Sequence, residues 1–495
     1  MSEHDDLDRW LAAGAGVCPP CDRLIETPIS KVYLFPDRVF KRKKPVDFGF
    51  LDFTTLAKRK WASERELRLN SQIAPDIYRG LHSVISDQDG FHLAPFGTRG
   101  AVDFVLEMRR FDETAVLSEC PDRVDGDLAE TIGREVARFH ASAAPGVLGG
   151  GAEGLEYVLN SNAQHIRQLA PVLGDDDARR VIVRTANAFD DMADLLDARL
   201  EQGFVRACHG DLHLGNILLE NGRAVLFDRI EFNDRLIEID VLYDLAFTLM
   251  DLTFRGRMGE ANRALNGWLD EAARHFPVEA LYQGLAALPL FQSVRAAVRC
   301  HVSGHNGQSD AARAYLKAAE QHLTTSLPQL VAIGGLSGSG KSTLAREIAP
   351  KTGHAPGAVI LRSDEIRKRL FGVDPTEHLP ADAYTAEADA RIYAAMFAAA
   401  RTVLKAGGSV VLDATFRDPA RREEAMSLHA SARGYWLDAP AEVLRARVAG
   451  RTNDASDADL AILNHQLAQS RPVTDWSLID AAALLETQGA HILQG

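Results

Sequence analysis

The chain has 495 residues, 46% hydrophobic and 25% charged, which suits sizeable cores and excludes general disorder. Its 55 Lys and Arg against 69 Asp and Glu give a formal charge of −14, so neither nucleic acid nor an anionic membrane is an expected partner. Five cysteines exclude a disulfide framework and point to the cytoplasm. The opening MSEHDDLDRW is acidic and no apolar run follows it, so no secretory leader is expected, and no apolar stretch of 18 or more predicts a spanning helix.

In chain order, a short helix is predicted over Leu7–Ala13, followed by a Gly and Pro break. Strands are expected at Lys31–Phe35 and Arg38–Lys41, with Pro36-Asp37 as the turn between them. Thr54–Ile73 reads as helix, Val102–Met108 as strand and Asp127–Ala143 as helix. Gly149–Gly151 marks a loop, and residues 157–202 are helix-rich. Asn221-Gly222 between two apolar runs predicts a hairpin. From Leu242 to Leu323 the pattern is helical, with breaks expected near Pro277 and at Ser303–Asn306. Polar punctuation at 324–328 sets a boundary near 326, giving domains 1–326 and 327–495. Beyond it, strands at Leu330–Gly334, Val359–Leu361, Ser409–Asp413 and Gly434–Leu437 alternate with helices, the pattern of a parallel sheet. The alanine-rich segment 381–406 is expected to be helix.

Within the first domain, HGDLHLGN at 209–216 precedes the hairpin, and Leu226-Phe227-Asp228 follows it. This supplies a carboxylate, an amide five residues on and a second carboxylate after an apolar run. Phosphoryl transfer uses one carboxylate to orient or deprotonate the accepting hydroxyl, and an amide with a second carboxylate to hold magnesium. A polar loop of Asx turns around a hairpin would show the same spacing. HGDLHLGN with its following FD closely resembles the aminoglycoside phosphotransferase and choline kinase family, itself related to protein kinases. FKRKKPVDFGFLDFTTL, ERELRLN, LEMRRFDE and IEFNDRLIEIDVLYDLAFTLMDL agree with an uncharacterised bacterial branch, often fused to a C-terminal ATP-binding domain. The resemblance implies a bilobal, protein-kinase-like α+β domain. In it Asp211 is the catalytic Asp, Asn216 and Asp228 are magnesium ligands, and His209 orients the loop. Lys41 is then the lysine for the α- and β-phosphates and Glu66 its ionic partner, with Lys43, Lys44 and Glu64 as competitors. The first hairpin, Glu26–Val32, lacks the glycines with which protein kinases cover phosphates. Ser30 and neighbouring amides are the substitutes.

In the second domain, Gly335-Leu336-Ser337-Gly338-Ser339-Gly340-Lys341-Ser342 fits G-x-x-x-x-G-K-[ST] between a predicted strand and a predicted helix. Glycines let backbone N–H groups turn inward around phosphate oxygens, and the helix start adds donors, Thr343 among them. Lys341 reaches the β- and γ-phosphates, and Ser342 can ligate Mg²⁺. Asp413 ends an apolar strand, where it is read as a magnesium ligand. Asp364 is read as proton acceptor from a substrate hydroxyl and Arg367 as a substrate-binding residue; a helix cap at Ser363 or Asp364 is the plainer alternative. Arg447 and Arg451 share a helix face and are candidate lid arginines, with Arg445 nearby. The domain resembles small P-loop kinases of the gluconate kinase, shikimate kinase and zeta-toxin type, implying an α/β P-loop NTPase fold with a parallel sheet.

Other residues invite weaker readings. Cys18-Pro-Pro-Cys21 lacks a second ligand pair for zinc, and His301 with His305 lacks a helical frame if the chain breaks at Ser303. Asp240 and Asp244 are read as structural anchors, with Glu231 either joining them or approaching substrate. The sequence thus predicts an ATP- and Mg²⁺-dependent kinase acting on a hydroxyl of a small molecule, at two sites. A P-loop ATPase switch that regulates the kinase-like domain, or a nucleotide-binding scaffold with a pseudokinase lobe, are the alternatives.

Overall fold

The computed structural model describes residues 3–49, 51–324, 326–374, 377–450, 460–469 and 471–494. Packing divides the chain into two compact units. The first comprises residues up to Val124, Gly146–Gly149 and Arg206–Ile239; the second comprises Asp125–Pro145, Gly150–Val205 and Asp240 onward. Neither unit ends at the expected boundary near 326. Packing instead places the helices of 241–322 with the P-loop sheet.

The first unit is built on a six-stranded antiparallel sheet. Its strands are β1 (Arg23–Glu26), β2 (Ser30–Leu34), β3 (Arg38–Lys43), β4 (Tyr78–Asp87), β5 (Gly90–Pro95) and β6 (Ala101–Arg109), in the order β1-β2-β3-β6-β4-β5. β1, β4 and β5 escape a reading by hydrophobic alternation because their faces are largely polar or exposed. Helix α1 (Glu3–Ala12) packs Leu7 and Leu11 onto Tyr33, Phe35, Phe40, Val84 and Val105. Helix α2 (Leu56–Asn70), capped by the Thr55 hydroxyl on the Lys58 N–H, carries Glu66 into the interior. A hairpin of β7 (Ile217–Glu220) and β8 (Arg223–Leu226) turns at Asn221-Gly222, both with positive φ (53° and 74°), as the Asn-Gly pair favours.

The second unit begins with helices α3 (Gly126–Ser142), α4 (Gly151–Gln168), α5 (Val241–Phe254), α6 (Met258–Ala272), α7 (Leu288–His305) and α8 (Ser309–His322), among shorter ones. α3 and α6 touch backbone to backbone: a Cβ at Gly133 would lie 2.1 Å from the Ala264 carbonyl oxygen, and one at Gly267 2.4 Å from that of Glu130. The expected break at Ser303–Asn306 falls at the far end of that range: α7 ends at His305, Asn306 is its C-cap, and α8 starts at Ser309. α7 runs through to His305 because Gly304 is used for close packing: its missing Cβ would fall 2.5 Å from Leu169 Cδ1.

The same unit contains a five-stranded parallel sheet of β9 (Leu330–Gly335), β10 (Val359–Arg362), β11 (Val410–Asp413), β12 (Arg433–Asp438) and β13 (Ser477–Asp480), ordered β10-β11-β9-β12-β13. β13 is mostly exposed and carries no strong apolar signal. Edge strand β10 is covered by α6. Asn266 donates to the Ala358 carbonyl (3.2 Å) and accepts from the Ile360 N–H (2.7 Å), while Asn262 donates to Ala358 (3.0 Å). Two asparagines one turn apart thus supply the partners a further strand would have offered.

Candidate functional sites

In the first unit, Lys41 and Lys43 sit two residues apart on β3 and so face the same way. Beneath them lies Glu66: Lys41 Nζ is 2.7 Å from Glu66 Oε1 and Lys43 Nζ 2.6 Å from Oε2. Lys43 also pairs with buried Glu231, whereas Lys44 turns to Glu26 and Glu64 is exposed. Lys41 reaches further, to Asp228 Oδ1 at 2.7 Å. Burial alone would lower the Lys41 ammonium, but Asp228 and Glu66 outweigh it and hold it well above its usual range. Burial likewise opposes ionisation of Glu66, and Lys41 and Lys43 overcome that to hold it below the usual carboxylate range. Two ammonium groups face three carboxylates here. The surplus negative charge sits at the open end, since the Asp228 side chain is 43% exposed and that of Glu66 only 1%.

Asp228 has φ +60°, a left-handed conformation that Asp tolerates, and its N–H donates to the Tyr78 hydroxyl at 3.0 Å. Asn216 donates from Nδ2 to the Asp211 carbonyl (2.8 Å) and carboxylate (3.1 Å). His209 is fully buried, with Nε2 2.9 Å from the Phe227 carbonyl, which ties the loop to the strand before Asp228. Arg229 adds a clamp that sequence reasoning missed, donating to the Cys208 and Ala207 carbonyls. His213 was also passed over; its Nε2 lies 3.5 Å from Asp211 Oδ2. A cleft of about 550 Å³ opens here, with Lys41, Asn216 and Asp228 at one end and Val32, Ile77, Met108 and Phe111 along its wall. Ser30 is buried, and its N–H is taken by the Thr27 hydroxyl at 2.9 Å. That N–H is thus engaged within its own turn.

In the second unit, β9 delivers the chain into the loop 335–340, and helix α9 (Lys341–Ile348) follows. Gly338 and Gly340 have φ of +82° and +95°, and a Cβ at Gly338 would lie 2.8 Å from the Leu444 carbonyl oxygen. Only glycine fits that turn without displacement. Ser342 Oγ donates to Asp413 Oδ2 at 2.6 Å. Two oxygen donors from separate elements therefore meet at the head of the parallel sheet, a set suited to Mg²⁺. A cavity of about 930 Å³ is lined by Ser337, Gly338, Gly340, Lys341, Ser342 and Thr343, and also by Asp364, Arg367, Asp413 and Arg447. Ser339 is buried within the loop. Asp364 and Arg367 come from α10 (Ser363–Leu370). Arg367 is held by Asp389 at 2.6 Å and by the Ala383 carbonyl, with Tyr384 stacked 5.1 Å from its guanidinium. Arg447 leans on the carbonyls of Ala481 (2.9 Å) and Ser339 (3.4 Å), whereas Arg445 bonds Asn464. Arg451 and the acidic run 454–459 lie outside the described residues. Gln466 was missed: its Oε1 accepts the Ser337 N–H at 3.0 Å. A contact across 129 positions leaves no local sequence signal.

The remaining candidate residues have structural surroundings. Asp240 caps α5 through the Leu242 N–H (2.8 Å) and grips Arg199 with both oxygens (2.6 and 2.9 Å). Asp244 is fully buried, 3.1 Å from His140 Nε2. Cys18 and Cys21 are free thiols. Among the described residues, no helix is long and apolar enough to cross a membrane.

Residues 96–282 match the family described as Phosphotransferase enzyme family, and residues 330–473 match the AAA domain. A Mycobacterium tuberculosis (strain H37Rv) protein described as uncharacterized is 31% identical over 483 residues, 94% of this chain and 92% of that protein. A Janibacter sp. HTCC2649 sugar kinase structure aligns over 34% of this chain and 93% of its own, at 22% identity and a TM-score of 0.29. An amicoumacin kinase solved with AMP-PNP, Ca²⁺ and Ami aligns over 65% of this chain and 93% of its own, at 15% identity and a TM-score of 0.41. The chain belongs to the family of the mycobacterial protein, with an aminoglycoside-phosphotransferase-like kinase domain followed by an AAA-type P-loop domain.

Proposed function

We propose that this protein is an ATP- and magnesium-dependent phosphotransferase that acts on a hydroxyl group of a small molecule, with two phosphotransfer sites. The observation that carries the reading is the convergence of Lys41, Asn216 and Asp228 on one cleft, with buried Glu66 paired to Lys41 and Asp211 hydrogen-bonded to Asn216. Bound magnesium, held by Asn216 and Asp228 in one site and by Ser342 and Asp413 in the other, would neutralise charge on the phosphate oxygens. In the first site Lys41 binds the α- and β-phosphates, and Glu66 keeps that ammonium aimed. Asp211 orients the acceptor hydroxyl and takes its proton. The hydroxyl oxygen bonds to the γ-phosphorus as the bond to the β–γ bridging oxygen breaks, and ADP leaves. In the second, Lys341 and Arg447 (with Arg451 by sequence) bear on the transferring phosphate, Asp364 faces the acceptor hydroxyl and Arg367 holds the acceptor.

The test is transfer of labelled γ-phosphate from ATP-Mg²⁺ to pooled sugars, nucleosides, aminoglycosides and a metabolite extract. Wild type, Asp211→Ala and Lys341→Ala are compared. A product lost with one substitution alone assigns the chemistry to that site. Free phosphate as the sole product in every pool, abolished by Lys341→Ala and kept by Asp211→Ala, would overturn the kinase reading in favour of a P-loop ATPase switch. One observation favours that second reading: Arg134 of α3 is 3.2 Å from Glu365, the neighbour of Asp364. Helices of the kinase-like domain thus hold the element that lines the P-loop cavity.

A further inference from the structure

We propose that His165, His301 and His305 form a binding site for one transition-metal cation of the zinc and cobalt class, separate from both nucleotide sites. The three imidazoles offer nitrogens that all lie within 4.8 Å of one another. His301 and His305 stand one turn apart on α7, which is unbroken here, and so share a face. His165, near the end of α4, completes the group: its Nδ1 is 3.0 Å from His305 Nε2, and its ring stacks on His301 with centroids 4.7 Å apart. Zinc–nitrogen bonds of about 2.0–2.1 Å in a tetrahedral site put ligand nitrogens roughly 3.3 Å apart, so the pair already has nearly the needed spacing.

The surroundings orient the ligands as a metal site requires. Asn162, on α4 three residues before His165, donates from Nδ2 to the buried Val294 carbonyl at 3.2 Å. That fixes its amide and leaves Oδ1 facing His301 Nε2, also at 3.2 Å. With its Nε2 proton held there, His301 keeps its lone pair on Nδ1. Burial lowers both His165 and His301 from their usual range, so they are neutral near pH 7. The cluster contains no carboxylate, which disfavours Mg²⁺ and Ca²⁺ and selects a cation that prefers imidazole. His305 is exposed, so the fourth coordination position opens to solvent. A cation here would tie α4 to the last turn of α7.

The experiment titrates untagged, chelator-stripped full-length protein with Co²⁺, in excess Mg²⁺-ATP to occupy the phosphate sites. Visible d–d absorption is read and Zn²⁺ is used as competitor. About one cobalt per chain is expected, with an intense tetrahedral spectrum that zinc displaces, and a melting temperature that zinc raises. His305→Ala, a change at an exposed position, and His165→Gln should each weaken binding about tenfold or more and abolish the zinc-dependent rise. Absence of a tetrahedral spectrum in wild type, or binding unchanged in both variants, would overturn the proposal and leave a purely hydrogen-bonded histidine cluster.

Discussion

In the first candidate site the charges come from side chains as distant in sequence as Lys41 and Asp228, 187 positions apart. In the second, most of the groups proposed to bind phosphate come from one run, 335–343, in which backbone shape matters most. The contrast is physical. A side-chain constellation needs buried ions that balance each other, so it depends on packing throughout its unit. A backbone cradle needs glycines at positive φ and the start of a helix, both of which are local. Errors should therefore act differently in the two: through electrostatics and stability in the first, through steric exclusion and lost N–H donors in the second.

The sharpest way to break that comparison lies in Lys41 and Lys43, which share Glu66. Lys43→Met strips a cation from Glu66 and Glu231, whose side chains are 1% and 4% exposed. Breaking a buried pair from one side costs about 3–5 kcal/mol, so the denaturation midpoint should fall sharply. Lys41→Met leaves Glu66 paired to Lys43 and Asp228 open to water. It should cost about 1 kcal/mol in stability and about 10²–10³-fold in transfer at the first site. Urea unfolding and transfer rates measured on both variants check this. Equal stability losses would mean that the two lysines are one structural unit.

The same contrast explains what was legible in the sequence. Gly335–Ser342 and HGDLHLGN are contiguous, so both stood out, as did strand β9 and the Asn221-Gly222 turn. Lys41 could not be separated from Lys43 by reading alone because the period of a strand puts both on one face. Gln466 at the P-loop amide and Asn266 at the sheet edge were invisible, being single polar residues whose partners lie far along the chain. The reading set the break too early at Gly304 because glycine punctuates chains as often as it permits contact. Only the neighbour Leu169 distinguishes the two. For the same reason His301 and His305 lost their helical frame and His165 was never brought to them.

A middle-sized effect is expected where α6 covers β10. Asn266→Ala removes the acceptor for the buried Ile360 N–H, whereas the Ala358 carbonyl keeps Asn262. The loss should be about 1–3 kcal/mol, with faster hydrogen exchange at Ile360 in particular. Asn262→Ala should cost less, since Asn266 still serves both groups. If exchange at Ile360 is unchanged in Asn266→Ala, the edge of the P-loop sheet does not depend on the kinase-like helices, and the case for coupling between them weakens.

A pH-dependent effect of similar size concerns charge at that same junction. The Arg134 guanidinium faces Glu130 (3.2 Å), Asp270 (3.5 Å) and Glu365 (3.2 Å), while Arg263 and Arg346 also pair with Glu130 and Arg362 lies 3.7 Å from Glu365. Burial and the Glu365 carboxylate push Asp270 up to about 7, against the pull of Arg134. Between the unfolded value near 4 and about 7, the folded protein therefore holds a proton that the unfolded chain releases. Stability from this group is full below that window and is lost as pH rises through it. Asp270→Asn should remove the dependence, making the variant less sensitive than wild type by roughly 2–3 kcal/mol between pH 5 and pH 7.5, as read from denaturation midpoints. A slope unchanged by the substitution would mean that Asp270 does not carry the pH dependence.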